Sequence, residues 1–191
     1  MTLQALLGIA AGLLQLVASG VYVGSILVNE TKPNRITWWV LALVSGMITA
    51  SYWSTGARET IWLPASYTAS FLLIAFLSIR YGDGPITLSG LDRVSLAGAL
   101  LSAVVWWSLG SPVPALFMSI CTECIGLIPT VAKSYRDPGA ESKASWYIAT
   151  LASLLNVLAL TDWSVIMAAY PLYVFVTNSM IALLISRKKA A

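Results

Sequence analysis

Glu123 is the residue of this sequence best suited to do chemistry. It stands near the middle of a long apolar run, and no other acidic residue lies so deep in one. A charged carboxyl in an apolar medium is costly unless it is paired, so a carboxyl there points to solute binding or proton movement, or else to a hydrogen bond with a neighbouring helix. Gln15, at the centre of the first apolar run, is a second polar group of the same kind, and Asn156 and Asn178 lie in the last two runs. Amides donate and accept together, which suits a hydroxyl- or amide-bearing ligand. The same groups can serve as glue between helices, worth about 0.6–2 kcal/mol per bond in a membrane. Tyr52 and Trp53 offer rings on which a ligand can stack. Pro64, Pro171 and Pro129 interrupt or open apolar runs and are candidate hinges.

Other chemistries lack their residues. There is no histidine, which argues against haem ligation, a His-rich metal site and the usual neutral-pH proton shuttle. Cys121-Thr122-Glu123-Cys124 has a spacing that puts both thiols on one helix face, but no second cysteine pair completes a metal or redox site. Small residues packing between helices explain it. No nucleophile–base pair stands out, so the chain reads as a non-enzyme without a cofactor. A net charge of +3 is too small to suggest a nucleic-acid partner.

The elements that must position these residues are membrane spans. Of 191 residues, 58% are hydrophobic and 10% charged, against about 25% charged in a soluble domain. A span needs about 20 apolar residues. Seven segments qualify: Leu3–Val28, Ile36–Ser54, Thr60–Ile79, Val94–Leu109, Val113–Val131, Ser145–Leu160 and Ser164–Ser186, the fourth and sixth being the shortest. The first lacks a charged leader and reads as a retained helix, not a signal peptide. The linkers are short and rich in turn formers, as in Gly82-Asp83-Gly84-Pro85 and Asp137-Pro138-Gly139, so a single domain over residues 1–191 is expected. Trp38, Trp39, Trp62, Trp146 and Trp163 fall at span ends, where aromatic belts form.

Basic residues orient the spans. Lys32, Arg35, Arg80, Arg93, Lys133, Arg136, Lys143, Arg187, Lys188 and Lys189 fall after spans 1, 3, 5 and 7, leaving only Arg58 of the eleven on the other side. The positive-inside rule then puts the N-terminus outside and the C-terminus in the cytoplasm, in a plasma (inner) membrane.

The two ends of the chain read as copies. Thr37-Trp38-Trp39 matches Ser145-Trp146-Tyr147 at an offset of 108, with Asn34-Arg35 facing Ser142-Lys143 and Ser45 facing Ser153. At an offset of 107, Pro64 matches Pro171, Ile74-Ala75-Phe76-Leu77 matches Ile181-Ala182-Leu183-Leu184, and Arg80 matches Arg187. The expected fold is therefore all-α: seven transmembrane helices in two parallel three-helix repeats, residues 1–81 and 112–189. The linker helix, residues 92–110, restores their orientation. In this scheme Gln15 is the counterpart of Glu123.

This 3+1+3 plan resembles the SWEET and PQ-loop (MtN3-like) superfamily, in which repeats are parallel. The local match is Pro129-Thr130-Val131-Ala132-Lys133-Ser134 with Ser142 opening the next helix, where the family carries Pro-Gln or Pro-Thr, a Lys and a Ser. In the first repeat Val21-Tyr22 stands at the Pro-Gln position, and the family's paired asparagines are represented by Asn178 and Phe71, as in a divergent member. The resemblance implies alternating access between two triplets around Glu123, Gln15 and Asn178. The partners are then a small polar solute, protons and the lipid bilayer, with self-association into a homo-oligomer left open. The alternative is a PQ-loop-like membrane receptor or scaffold without transport. A retinal photoreceptor is excluded, because Lys188 and Lys189 follow the last span instead of lying within it.

Overall fold

A computed structural model describes residues 2–30, 32–82, 87–138 and 141–187, with all side chains among them except those of Arg35, Pro129 and Lys133. Seven helices form there: α1 (Leu3–Leu27), α2 (Arg35–Ser54), α3 (Trp62–Tyr81), α4 (Gly90–Leu109), α5 (Pro112–Arg136), α6 (Lys143–Leu158) and α7 (Val165–Ser186). Their starts are written in short polar side chains. Thr2 accepts from the Ala5 N–H at the head of α1. Asn34 accepts from Ile36 and Thr37 at the head of α2, and Ser142 caps α6 through Ser145. Such caps satisfy amide groups that a first turn leaves without partners. Ser89 and Asp92 cap each other reciprocally, so α4 begins four residues before the apolar run that marks it. Gly110, in the left-handed region at φ 62°, ends α4, and Pro112 opens α5 two residues later.

Five helices are long and apolar enough to cross a membrane: α1, α2 from Ile36, α3, α5 and α7. Sixteen residues of α6 rise only about 24 Å, against about 30 Å of hydrocarbon. Asp92 and Arg93 shorten the apolar part of α4 to a similar length. Large apolar side chains cover the outer faces, among them Leu13, Phe76, Val104, Trp107 and Leu183. A surface of this kind is stable against lipid, not water. The chain is an integral membrane protein.

The helix neighbours form a closed cycle. α3 packs between α1 and α2, α7 packs between α5 and α6, and the cycle closes through α1 against α6 and α2 against α5. α4 lies outside it, on α2 and α5. Small residues permit the tight contacts. Gly98 of α4 leaves room for the Thr122 side chain of α5. Gly8 and Gly12, one turn apart and buried, let α1 meet the start of α3. A Cβ at Gly8 would overlap the Glu59 carbonyl, and one at Gly12 would stand 2.9 Å from the Trp62 carbonyl oxygen. Gly20 and Gly24 on the same helix meet nothing within 4 Å.

That contrast is testable by thermal unfolding in detergent. Gly8→Ala is expected to cost about 1–3 kcal/mol, because the Glu59 backbone must shift. Gly24→Ala is expected to be neutral, or to gain up to about 1 kcal/mol from helix propensity. Equal effects of the two would refute the close contact.

Candidate functional site

The polar side chains converge inside the helix cycle, and Asn178 on α7 is their hub. It is 5% exposed. Its Nδ2 donates to the Tyr67 hydroxyl on α3 (3.1 Å), to the Ala149 carbonyl on α6 (3.2 Å) and to Ser153 Oγ on α6 (3.5 Å). α3 and α7 each sit in the middle of their neighbours, so this link spans the interior. Phe71 packs its ring against Tyr67 at 5.7 Å and against Trp38 at 5.5 Å, and Trp38 in turn meets Tyr22 at 5.2 Å. An aromatic file therefore runs from the amide hub to α1 on the α1–α2 loop side.

Glu123 stands beside this hub, among tyrosines. The Tyr173 side chain lies close to its carboxyl group. Tyr67 and Tyr170 are also close enough to feel its charge. Tyr170 packs against Tyr52 at 5.7 Å and Tyr173 at 6.3 Å, joining the rings into one cluster. Among the described residues no basic side chain lies in the middle of a helix to neutralise Glu123. Its Oε2 is buried and has no partner among the described residues.

Other interior groups are also left with unused bonding capacity. Asn156 on α6 is 0% exposed, and among the described residues neither its Nδ2 nor its Oδ1 has a partner. Gln15 on α1 donates through Nε2 to Ser19 (3.2 Å), but among the described residues its buried Oε1 is unpartnered, as is Ser119 Oγ on α5. Buried polar groups are nearly always hydrogen-bonded, and each exception asks for a reason. Asn156, Gln15, Glu123 and Ser119 come from three different helices, and a polar solute or water between those helices would satisfy them.

The sequence-derived candidates divide on this geometry. Asn178 and Glu123 share the tyrosine-lined interior. Gln15 and Asn156 are buried with spare bonding capacity, but α1 and α5 do not pack together, so Gln15 does not meet Glu123. Trp53 lies apart from this interior: it is 47% exposed and covered by the Arg58 guanidinium at 4.0 Å, because it sits about 100° around α2 from Tyr52. Pro64 occupies the first turn of α3, where no intrahelical N–H is lost. Pro129 falls within α5, and its side chain lies outside the described residues. Tyr67, Tyr170 and Tyr173 escape the sequence reading, although Tyr170 and Tyr173 flank Pro171 and Tyr67 follows Pro64 by one turn. Among the described residues no group of three or more His, Cys, Asp or Glu comes together to hold a metal.

Pro171 lies inside α7 and removes the N–H that would bond the Met167 carbonyl. The Tyr52 hydroxyl fills that vacancy, donating to the Met167 oxygen at 2.8 Å and pairing with Thr60 Oγ1 at 2.7 Å. Tyr52 is 0% exposed, so it acts as a latch between α2 and α7 at the Arg58 end and not as an open stacking platform.

No protein-family model, curated protein or solved structure matches the chain. The geometry itself therefore carries the argument about function.

The latch predicts a specific coupling. Tyr52→Phe should cost about 1–3 kcal/mol, since it strands a buried carbonyl. In a Pro171→Ala background the restored amide can serve Met167, and the same change should cost visibly less. Thermal unfolding of the four proteins of this double-mutant cycle measures the coupling, and additive effects would contradict it.

Proposed function

We propose that the chain is a membrane carrier for a small polar solute, working by alternating access between two triple-helix bundles around Glu123, Asn178, Asn156 and Gln15. The observation that carries this reading is the set of buried polar atoms without partners in the interior of the cycle, above all both polar atoms of Asn156. A purely structural interior would have paired them, because an unsatisfied buried amide costs about 1–3 kcal/mol. Glu123, with no basic partner among the described residues, is the group through which proton movement couples to the solute.

The 3+1+3 plan belongs to the same proposal, and three features support it. The third helix of each triplet lies between the other two, as α3 does between α1 and α2 and α7 between α5 and α6. The contacts between triplets are reciprocal: first helix to second, α1 with α6, and second to first, α2 with α5. Residues matched by the offset of 108 take matched roles. Asn34 and Ser142 are both N-caps, and Ser45 and Ser153 are both buried and bonded back to the carbonyl three residues earlier, those of Ala42 and Thr150. This arrangement is what the resemblance to the SWEET and PQ-loop superfamily implies. In this reading the more basic side faces the cytoplasm.

The test separates binding from stability. Purified protein is screened by thermal shift against sugars, amino acids and vitamins, and a hit is followed in proteoliposomes. Asn156→Leu removes two unpaired polar atoms and is expected to keep or raise Tm while abolishing the ligand shift. Glu123→Gln is expected to keep the fold and remove the pH dependence of uptake. If Asn156→Leu binds and transports like the parent, the proposed site is wrong. Ligand binding without uptake or exchange would favour the receptor reading.

A further inference from the structure

The C-terminal halves of α5 and α7 leave a groove of about 780 Å³ between them. Leu127, Ile128, Val131 and Ala132 form one wall, and Met180 and Leu184 the other. Ile128 and Tyr135, 60% and 63% exposed, show that the groove opens to the surroundings of the helices. It offers little to a soluble ligand. The Thr177 hydroxyl at its inner end is already used, donating to the Tyr173 and Val174 carbonyls. The solute site of the preceding section is thus not repeated here.

Charge is concentrated at the groove's outer end. Arg136 lines it and is exposed. Arg187 is pinned beside it from α7: its Nη2 donates to the Tyr135 carbonyl at 2.9 Å, its Nε donates to the Leu184 carbonyl at 3.3 Å, and the guanidinium lies 4.5 Å from the centre of the Tyr135 ring. Two arginines are thereby held at one mouth. The nearest acids in sequence are Asp137 and Glu141, and Glu141 accepts from the Trp146 indole at 3.4 Å. Along α5 the groove runs from Cys124 to Arg136, a rise of about 18 Å. One leaflet of hydrocarbon is about 15 Å deep.

We propose that this groove is a binding site for an anionic phospholipid, with one acyl chain lying between α5 and α7 and the headgroup phosphate on Arg136 and Arg187. The apolar walls exclude a polar ligand, the lateral opening admits a chain from the bilayer, and the arginine mouth selects the charge. Basic pockets at the ends of spanning helices recognise acidic headgroups by this means. The inference rests on the membrane assignment and not on transport, so it stands or falls separately from the carrier reading.

The experiment uses the full chain in detergent, titrated with phosphatidylglycerol or phosphatidylcholine of identical acyl chains, with Tm and native mass spectrometry as readouts. The expected result is one retained phosphatidylglycerol, bound about tenfold or more tightly than phosphatidylcholine. Arg136→Gln should reduce that preference and the Arg136→Gln/Arg187→Gln pair should abolish it. Because Arg187 also ties α7 to α5, Arg136→Gln, whose side chain makes no hydrogen bond among the described residues, keeps the test independent of folding. Ala132→Trp should exclude both lipids by filling the groove. Equal affinity for the two lipids, or a preference that survives the paired arginine substitution, overturns the proposal. So does concentration-dependent dimerisation that buries Ile128, which would make a second copy the occupant.

Discussion

A polar side chain in the middle of an apolar helix must find its partner on another helix, because lipid offers none. That constraint organises this molecule. Asn178 meets it completely on its donor side, reaching α3 through Tyr67 and α6 through Ala149 and Ser153. Tyr52 meets it at one end by serving the carbonyl that Pro171 leaves free. Apolar packing alone distinguishes poorly between helix neighbours in a membrane, since lipid tails are as apolar as leucine. The polar links, with small residues such as Gly8, Gly12 and Gly98 that allow backbones to approach, specify which helices meet.

Against that background the unmet cases are informative. Among the described residues the wholly buried Asn156 side chain has no hydrogen-bond partner, Gln15 and Glu123 each keep a free buried oxygen, and all lie on helices of the closed cycle. Stability alone would replace them with apolar residues. Retaining them fits a site whose partner comes and goes. The latch at Tyr52 and the aromatic file from Tyr67 through Phe71 and Trp38 to Tyr22 lie on opposite sides of that interior.

Much of the fold was legible in the sequence, for physical reasons. Lipid demands long apolar runs, so helix ends fell within a few residues of the apolar boundaries. Where they did not, a polar signal had been outweighed by an apolar one: the Ser89–Asp92 capping box extends α4 back past Val94, and α5 continues past Val131 to Arg136. The site was legible in part. Isolated Glu, Gln and Asn stand out in an apolar run because burying them is costly. Tyr67, Tyr170 and Tyr173 did not, since a tyrosine in a span is half apolar and resembles packing. Nor could spacing alone tell that Tyr52 turns inward and Trp53 outward, a choice set by which face α2 gives to α7.

The central claim is that the interior near Asn156 becomes accessible from water during the working cycle. Thiol accessibility tests it most directly. In a Cys121→Ser/Cys124→Ser background, Asn156→Cys is treated in membranes with a small charged thiol reagent, beside Ile128→Cys at the lipid-facing groove. The account predicts that the charged reagent modifies position 156 and that a bound solute slows the reaction. Position 128 should react mainly with membrane-permeant reagents. No reaction at 156 with the charged reagent, under conditions where exposed cysteines react fully, would contradict the account and leave Asn156 as a buried packing residue.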